Sequence, residues 1–266
     1  MPQENLEPKH NQTKYKPDNI SFKKAKAEKI KSSEVIKVII PAYNEEESIA
    51  KVIAEIPEIV QEIIVVSNNS TDATEENAKN AGATVLQENR KGYGYACLKG
   101  MDHISKQSFD KLRTKPDIIV FLDGDYSDFP AELTKIIAPI IEENKDLVIG
   151  SRVKKWRENG SMTFPQIFGN WLATSLMKLF FNARFTDLGP FRAIKYDKLL
   201  ELEMQDKTYG WTVEMQLKAI KKGFSYTEVP VHYKNRIGTS KVSGTVKGAI
   251  FAGVKILGWI FKYSFK

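Results

Sequence analysis

A run of closely spaced acidic residues ends one of the most apolar stretches of the chain. In "IIVFLDGDYSDFP" (118–130), five apolar residues lead into Asp123, Asp125 and Asp128. Two carboxylates separated by one glycine can turn toward the same hard cation, and Mg²⁺ or Mn²⁺ prefers such oxygen ligands. A divalent metal site and a solvent-exposed turn are both open for Asp123 and Asp125. Asp128 is better explained as the N-cap of a helix that starts at Pro130.

Polar clusters also follow other apolar runs, as "PAYNEE", "SNNSTD" and "GSR". Asn44 and Glu47 have the spacing of a capping box, and Ser70 or Thr71 could cap the next helix, with Asp72 in its first turn. The residues of the first cluster that remain free to line a cleft are Ala42, Tyr43 and Glu45.

Glycine and basic residues add a second kind of signal. Gly92-x-Gly94 resembles part of a dinucleotide-binding fingerprint, but Cys97 stands where the third glycine belongs, so a dehydrogenase is a weak interpretation. Guanidinium groups on loops suit phosphate recognition. The basic residues expected near the same edge are Arg152, Arg192, Arg236 and Lys241.

The elements that must position these residues alternate between strand and helix. Short apolar runs begin near residues 35, 63, 84, 117 and 146, with helical patterns between them. Strands that are apolar on both faces predict a mostly parallel sheet flanked by helices, an α/β fold. Ligands of such sheets bind beyond the carboxyl ends of the strands, where these polar clusters lie.

The two ends of the chain differ in character. Residues 1–34 are polar and predict a flexible tail without a secretory signal, and a single cysteine fits a reducing compartment. From Val229 to Lys266 there are seven basic residues and no acidic one, which equals the net charge of +7. An anionic partner is therefore expected at this end, whether phosphate, membrane or nucleic acid.

The last predicted helix, residues 245–266, places four lysines on one stripe of an otherwise apolar surface. Four lysines argue against a spanning helix. Two interpretations stay open: a basic amphipathic helix that lies on an anionic membrane, and a core-packing helix with a solvated lysine stripe.

Taken as a set and in order, these motifs resemble the inverting family 2 glycosyltransferases of GT-A fold. The matching segments also include "DLGPFRAI", "GWTVEMQLKA" and "EVPVHYKNRIGTSKVSG". Within the family, the chain is most similar to the polyprenyl (dolichyl) phosphate mannosyl- and glucosyltransferases. The resemblance implies a Rossmann-like GT-A domain over residues 35–244.

The resemblance also implies roles for individual residues. Asp123 and Asp125 would hold Mg²⁺ or Mn²⁺ on the donor diphosphate, and the catalytic residues would be Asp125, Glu214 and Arg236. The residues implied in substrate binding are Pro41, Ala42, Tyr43, Glu45, Asn68, Asp72, Lys91, Gly92, Asp123, Gly124, Arg152, Arg192, Ser240 and Lys241. The family's usual "DDGSTD" reads "SNNSTD" here, so Ser67 and Asn68 replace two aspartates and the identity of the nucleotide is open.

The implied reaction is metal-dependent transfer of a hexose from a nucleotide-sugar to a polyprenyl phosphate at the cytoplasmic face of a membrane. An alternative is transfer to a hydroxyl of a glycolipid or polysaccharide, which needs a base, and Glu214 is the candidate. A nucleotidyltransferase would need a glycine-rich loop where "PAYNEEE" stands. A non-catalytic membrane- or nucleic-acid-binding module would leave Asp123 and Asp125 without a role.

Overall fold

The computed structural model describes residues 34–108, 115–238 and 246–264. The predicted polar tail, except for Glu34, lies outside these residues, and so do the candidate site residues Ser240 and Lys241. Their predicted roles therefore stay predictions.

Within the described residues, a mixed sheet of seven strands forms the centre of the fold, in the order β3-β2-β1-β4-β6-β5-β7. The strands are β1 (Ile36–Ala42), β2 (Glu62–Ser67), β3 (Thr84–Gln87), β4 (Ile118–Phe121), β5 (Leu147–Ser151), β6 (Arg192–Lys195) and β7 (Tyr226–Pro230). Neighbouring strands run parallel except at β6, which is antiparallel to both β4 and β5. The mostly parallel α/β sheet is confirmed. The strand β6 was missed, because four residues give too short a pattern to show a period.

Helices cover both faces of the sheet. They are α1 (Ile49–Ala54), α2 (Thr74–Asn80), α3 (Tyr93–Ser108), α4 (Leu133–Glu143), α5 (Phe164–Phe181), α6 (Tyr196–Glu201), α7 (Trp211–Lys221) and α8 (Val246–Ser264). Short 3-10 turns occupy Pro130–Glu132 and Lys154–Trp156.

The core has two layers, one on each face of the sheet. Along β1, Ile39 packs into the layer that contains Trp211, whereas Val38 and Ile40 pack into the layer that contains Leu133. Each such buried side chain contributes about 1.5–3 kcal/mol of hydrophobic stabilisation. Two covered faces explain why the strands are apolar throughout instead of alternating.

The predicted caps after β1 and β2 are wrong. Helix α1 begins at Ile49, and Asn44 lies upstream of it in the left-handed region, with φ of 54°, so Asn44 and Glu47 form no capping box. Asn44 Oδ1 instead accepts a hydrogen bond from the Thr71 amide at 2.9 Å, and the Asn44 amide donates to Ser70 Oγ at 3.1 Å. These side chains tie two neighbouring loops together, a long-range role that local spacing does not reveal.

Helix α8 packs on the core through one face. Trp259 and Ile260 are buried, and Trp259 Nε1 donates to Asp206 Oδ2 at 2.7 Å. Its partners in the fold are α5 and α7. Among the described residues, no helix has both the length and the apolar character that crossing a bilayer requires.

Candidate active site

Asp123 and Asp125 lie in the turn directly beyond β4, at the carboxyl edge of the sheet. Asp123 Oδ1 accepts a hydrogen bond from the Tyr93 hydroxyl at 3.0 Å. Asp125 Oδ1 accepts from the backbone N–H of Ser127 at 2.9 Å and from its hydroxyl at 2.5 Å. Between them and the next strand, Tyr126 adopts a φ of 63°, a left-handed conformation that is costly for a large side chain. The turn is thus held in a strained shape, as is frequent at functional sites.

Glu45, which follows β1, joins this acidic pair through an arginine. Arg236 Nη2 lies 3.1 Å from Glu45 Oε1, and Arg236 Nη1 lies 3.2 Å from Asp125 Oδ2. The buried Nε of Arg236 has no hydrogen-bond partner among the described residues. One incompletely satisfied guanidinium therefore neutralises carboxylates from two different loops.

The cluster carries more negative charge than this arginine offsets. Burial, together with the charge of Asp125, raises the pKa of Glu45 to about 7. The same two causes raise the pKa of Asp123 to about 6. Raised carboxyl pKa values indicate a site that would bind a further cation favourably.

Asp128 is not the helix cap that its position suggested. Its side chain is 1% exposed, and neither oxygen has a hydrogen-bond partner among the described residues. Phe129 precedes the 3-10 turn, and the backbone of Asp128 forms a bridge with Tyr233 instead. Burial, then the charges of Asp123 and Asp125, raise the pKa of Asp128 well above its ordinary value, so a neutral carboxyl fits this place.

A cavity of about 520 Å³ opens above this turn. Most of the predicted site residues line it, from all the loops at the carboxyl edge of the sheet. They are Pro41, Ala42, Tyr43, Glu45, Asn68, Lys91, Gly92, Asp123, Gly124, Asp125, Arg152 and Arg236. The volume falls in the range of small-molecule sites, which run from roughly 300 to 1,000 Å³.

Asn68 holds one wall of this cavity. Its amide nitrogen donates to the carbonyl oxygens of Glu88 at 3.0 Å and Arg90 at 2.7 Å, and its Oδ1 accepts from the Gly92 amide at 2.8 Å. Both N–H groups are therefore engaged, and only the second lone pair of Oδ1 is left for a ligand. A Cβ on Gly92 would lie 2.2 Å from the carbonyl oxygen of Lys207, so the wall also requires glycine at this position.

The predicted arginines occupy different environments. Arg152 lines the cavity but forms a two-pronged ion pair with Asp187, at 2.8 and 2.6 Å. Arg192 is fully buried and donates to the carbonyl oxygens of Gly189 and Thr212, and burial lowers its pKa to about 10. Arg192 does not line the cavity, so the structure gives no support to its predicted contact with a phosphate.

Two more predicted site residues lie away from the cavity. Glu214 in α7 is 0% exposed. Its carboxylate accepts from the backbone amides of Gln205 and Asp206, at 2.9 and 2.7 Å, and pairs with Lys218 at 2.8 Å. Asp72 accepts from the backbone amides of Glu46 and Thr74. In this structure neither side chain reaches the cavity, which argues against Glu214 as the base and Asp72 as a substrate contact.

Several lining residues were not anticipated. They are Tyr93, Ala96, Met162, Pro165, Gln166, Gly169, Asn170, Leu188, Pro190, Tyr209, Trp211, Thr212, Tyr233, Gly253 and Ile256. Tyr93 adjoins the glycine motif and could have been found there. The residues from α5 and α8 carried no such signal, since only the tertiary packing brings these helices to the cavity.

A mostly parallel sheet with paired aspartates beyond β4 and a cavity at its carboxyl edge defines the class of GT-A fold glycosyltransferases. The chain belongs to glycosyl transferase family 2, whose family model matches residues 37–201. The chain is accordingly an enzyme that transfers a sugar.

Curated relatives are consistent with this assignment. A Mycobacterium bovis protein named an uncharacterized glycosyltransferase is 31% identical over 224 residues, or 83% of this chain and 95% of that protein. A dolichyl-phosphate hexose transferase of Haloferax volcanii is 28% identical over 218 residues, or 80% of this chain and 88% of that protein.

Solved structures show the same fold. Glucosyl-3-phosphoglycerate synthase of Mycobacterium tuberculosis, crystallised with Mn²⁺, UDP and phosphoglyceric acid, superposes with a TM-score of 0.69 at 20% identity. The match covers 91% of this chain and 81% of that chain. The same enzyme has also been crystallised with Mg²⁺ and UDP.

Proposed function

We propose that this enzyme transfers a hexose from a nucleotide-sugar to a polyprenyl phosphate at the surface of a membrane. The observation that carries the proposal is the mixed lining of the cavity. Asp123, Asp125 and Arg236 line it together with apolar side chains, which include Met162, Leu188, Trp211 and Ile256. Charged groups suit an anionic sugar donor, and we call this part of the lining the donor end, whereas the apolar side chains suit a lipid acceptor.

The donor end fits a divalent cation. Among the described residues, no three His, Cys, Asp or Glu side chains converge on one point, so the protein would supply Asp123 and Asp125 and the donor diphosphate the remaining ligands. This division of ligands is typical of Mg²⁺. When bound, the cation would offset the negative charge that develops on the departing diphosphate. The proposal is supported by the raised pKa values of this cluster and by the Mn²⁺ and Mg²⁺ of the structural neighbours.

Arg236 is the residue of this chain best placed to handle a phosphate. Its guanidinium already reaches both Glu45 and Asp125, and its Nε–H is unused among the described residues. Turned toward a substrate phosphate, it could form the paired hydrogen bonds that suit a planar guanidinium. Tyr93 meanwhile orients Asp123 by its hydroxyl.

The surroundings of Glu214 favour a phosphate acceptor over a hydroxyl acceptor. A hydroxyl must lose a proton as it attacks, whereas a phosphate is already an anionic nucleophile. The predicted base is held by two backbone amides and Lys218 and does not face the cavity. The relative named a dolichyl-phosphate hexose transferase adds support from sequence.

We also propose a peripheral location on the cytoplasmic face of the membrane, with α8 as part of the contact. Its outward face combines Phe251, Val254 and Phe261 with Lys255 and Lys262. This composition is typical of helices that lie in a membrane interface.

The test is transfer of radiolabelled sugar from a panel of nucleotide-sugars to a polyprenyl phosphate in detergent, with Mg²⁺ or Mn²⁺. We expect a metal-dependent product that partitions into organic solvent and releases the sugar in mild acid, as a sugar phosphate linkage does. A product stable to mild acid would indicate a hydroxyl acceptor. Absence of a lipid product with every common donor would contradict the proposal.

A further inference from the structure

The outward face of α5 is apolar, which is the reverse of a normal surface helix. Phe164, Phe168, Trp171 and Leu179 follow one another at spacings of four, three and eight residues, so they share a face. Phe164 is 78% exposed, Trp171 59% and Leu179 73%. The opposite face of the helix, with Ala173 and Met177, packs into the core. The spacing of these residues in the sequence therefore places large apolar side chains on the exposed face of the helix.

Helix α8 continues this surface. Phe180 of α5 contacts Phe261 of α8 edge to face, with ring centroids 5.9 Å apart. Phe251 and Val254 are also exposed on α8. Of the twelve large apolar side chains exposed among the described residues, nine lie on these two helices. We call these nine exposed side chains of α5 and α8 together the apolar face.

The charged residues of α5 and α8 are all basic. The sequence of α5 contains Lys178 and no acidic residue, and α8 contains lysines and no acidic residue. Lys178 and Lys262 are exposed, whereas Lys255 is also paired with Asp206 at 3.2 Å. The Lys262 ammonium nitrogen lies 4.3 Å from the centroid of the Trp259 ring, a cation–π contact at the edge of the apolar face.

The nature of the partner follows from this combination. A second copy of the chain, related by a two-fold axis, would bring the same lysines against one another. An anionic bilayer offers apolar chains for the phenylalanines and tryptophan and phosphates for the lysines. The cavity gives a second reason, because Gly169 and Asn170 of α5 and Gly253 of α8 line it, so that it is bordered by the helices of the apolar face.

We propose that the apolar face is a membrane-docking surface that inserts into the interface of an anionic bilayer, with Phe168 and Trp171 as its main anchors. The inference deepens the proposed function, since it assigns the partner through which a lipid acceptor would reach the cavity. Docking through α5 as well as α8 brings the residues of these two helices that line the cavity close to the lipid surface.

The test is co-sedimentation of the full chain with vesicles rich in phosphatidylglycerol and with vesicles of phosphatidylcholine alone. We expect binding to the anionic vesicles, and a loss of about tenfold or more in the partition coefficient for the double variant Phe168→Glu/Trp171→Glu. Leu200→Glu is the matched control, because Leu200 is an exposed apolar residue on α6, outside the apolar face, and should leave binding unchanged. Quenching of tryptophan fluorescence by brominated lipid should fall in Trp171→Phe.

The outcomes separate this surface from the proposed reaction. Equal vesicle binding by the wild type and the double variant would overturn the docking surface, as would a dimer in solution that dissociates in the double variant without any vesicle binding. Circular dichroism of each variant checks that the exposed substitutions leave the fold intact. If the double variant loses vesicle binding yet still glycosylates a short water-soluble isoprenyl phosphate, both proposals stand. If the wild type binds vesicles and transfers no sugar to any lipid phosphate, only the proposed reaction fails.

Discussion

Two of the groups of buried or half-buried carboxylates in this protein are satisfied in different ways. Glu214 and Asp206 receive backbone amides, Lys218 and the indole N–H of Trp259. The active-site group, Asp123, Asp125 and Glu45, shares Arg236 and retains raised pKa values at Glu45 and Asp123. The first group has fixed partners and so contributes to structure. The second lacks positive charge, which is what a binding site for a metal and a diphosphate requires.

The largest effect is expected from Asp125→Asn, which removes a charge from the active-site group. Sugar transfer should fall by about 100-fold or more, because an electrostatic partner of the reacting diphosphate is lost. The melting temperature should stay level or rise, since a repulsive charge is removed as well. Initial rates and thermal melts on the same preparation check both expectations. A large loss of stability would contradict the distinction between the active-site group and the structural carboxylates.

For Glu214→Gln we expect the reverse of the Asp125→Asn result, a loss of stability with little loss of activity. This change leaves Lys218 without its charge partner and turns an amide N–H₂ toward backbone N–H groups, at a cost of about 3 kcal/mol in the free energy of unfolding. The enzyme that remains folded should transfer sugar at nearly the normal rate. Urea titration and rate assays measure the two quantities.

Glu201→Gln is the matched control for that change, since Glu201 is exposed and pairs with Lys198 at 2.8 Å in α6. Its effect on the free energy of unfolding should not exceed about 1 kcal/mol. A fully folded Glu214→Gln enzyme without activity would contradict this structural role and would indicate that Glu214 acts as the base.

A smaller effect is expected when Asn68 is changed to the acid that is usual in the family. Asn68→Asp places a carboxylate oxygen against the carbonyl oxygens of Glu88 and Arg90, which the amide now serves as donor. The free energy of unfolding should fall by about 1–3 kcal/mol, and nucleotide binding should weaken because the wall that contains Gly92 loosens. Urea titration measures the first effect, and titration calorimetry with several nucleoside diphosphates measures the second. Tighter binding of any nucleotide by this variant would contradict the structural role of Asn68.

The last expected effect is a dependence of stability on pH. The pKa of Glu45 is raised from an ordinary value of 4.5 to about 7, so the folded state binds more protons than the unfolded state between these values. Stability contributed at this position must therefore fall as the pH rises from 4.5 to about 7. The melting temperature of the wild type minus that of Glu45→Gln should decrease over this window. A difference that is constant with pH would show that Glu45 keeps an ordinary pKa.

Sequence alone located the active-site group more readily than its surroundings. Asp123 and Asp125 could be placed because they end a strand whose apolar pattern is unambiguous, and parallel strands share one carboxyl edge. Asp128, five residues beyond Asp123, has the spacing of a cap but is buried by its bridge to Tyr233, about a hundred residues away. Local spacing carries no information about such a partner.

The same limit explains Glu214 and α5. The motif around Glu214 resembles a catalytic segment, yet its oxygens meet amides from the Gln205–Asp206 turn, which only the folded chain brings there. The sequence of α5 is apolar all round, and such a helix does not disclose which of its faces is outside. Only the packing of Ala173 and Met177 into the core determines which face is exposed.

The central claim is that the active-site carboxylates bind a nucleoside diphosphate together with a divalent cation. Isothermal titration calorimetry of the wild type with nucleoside diphosphates, in Mn²⁺ and in EDTA, tests it most directly. We expect binding in Mn²⁺ that is lost in EDTA and in Asp123→Asn, and retained in the control Glu201→Gln. Equal binding in EDTA, or by Asp123→Asn, would contradict the account.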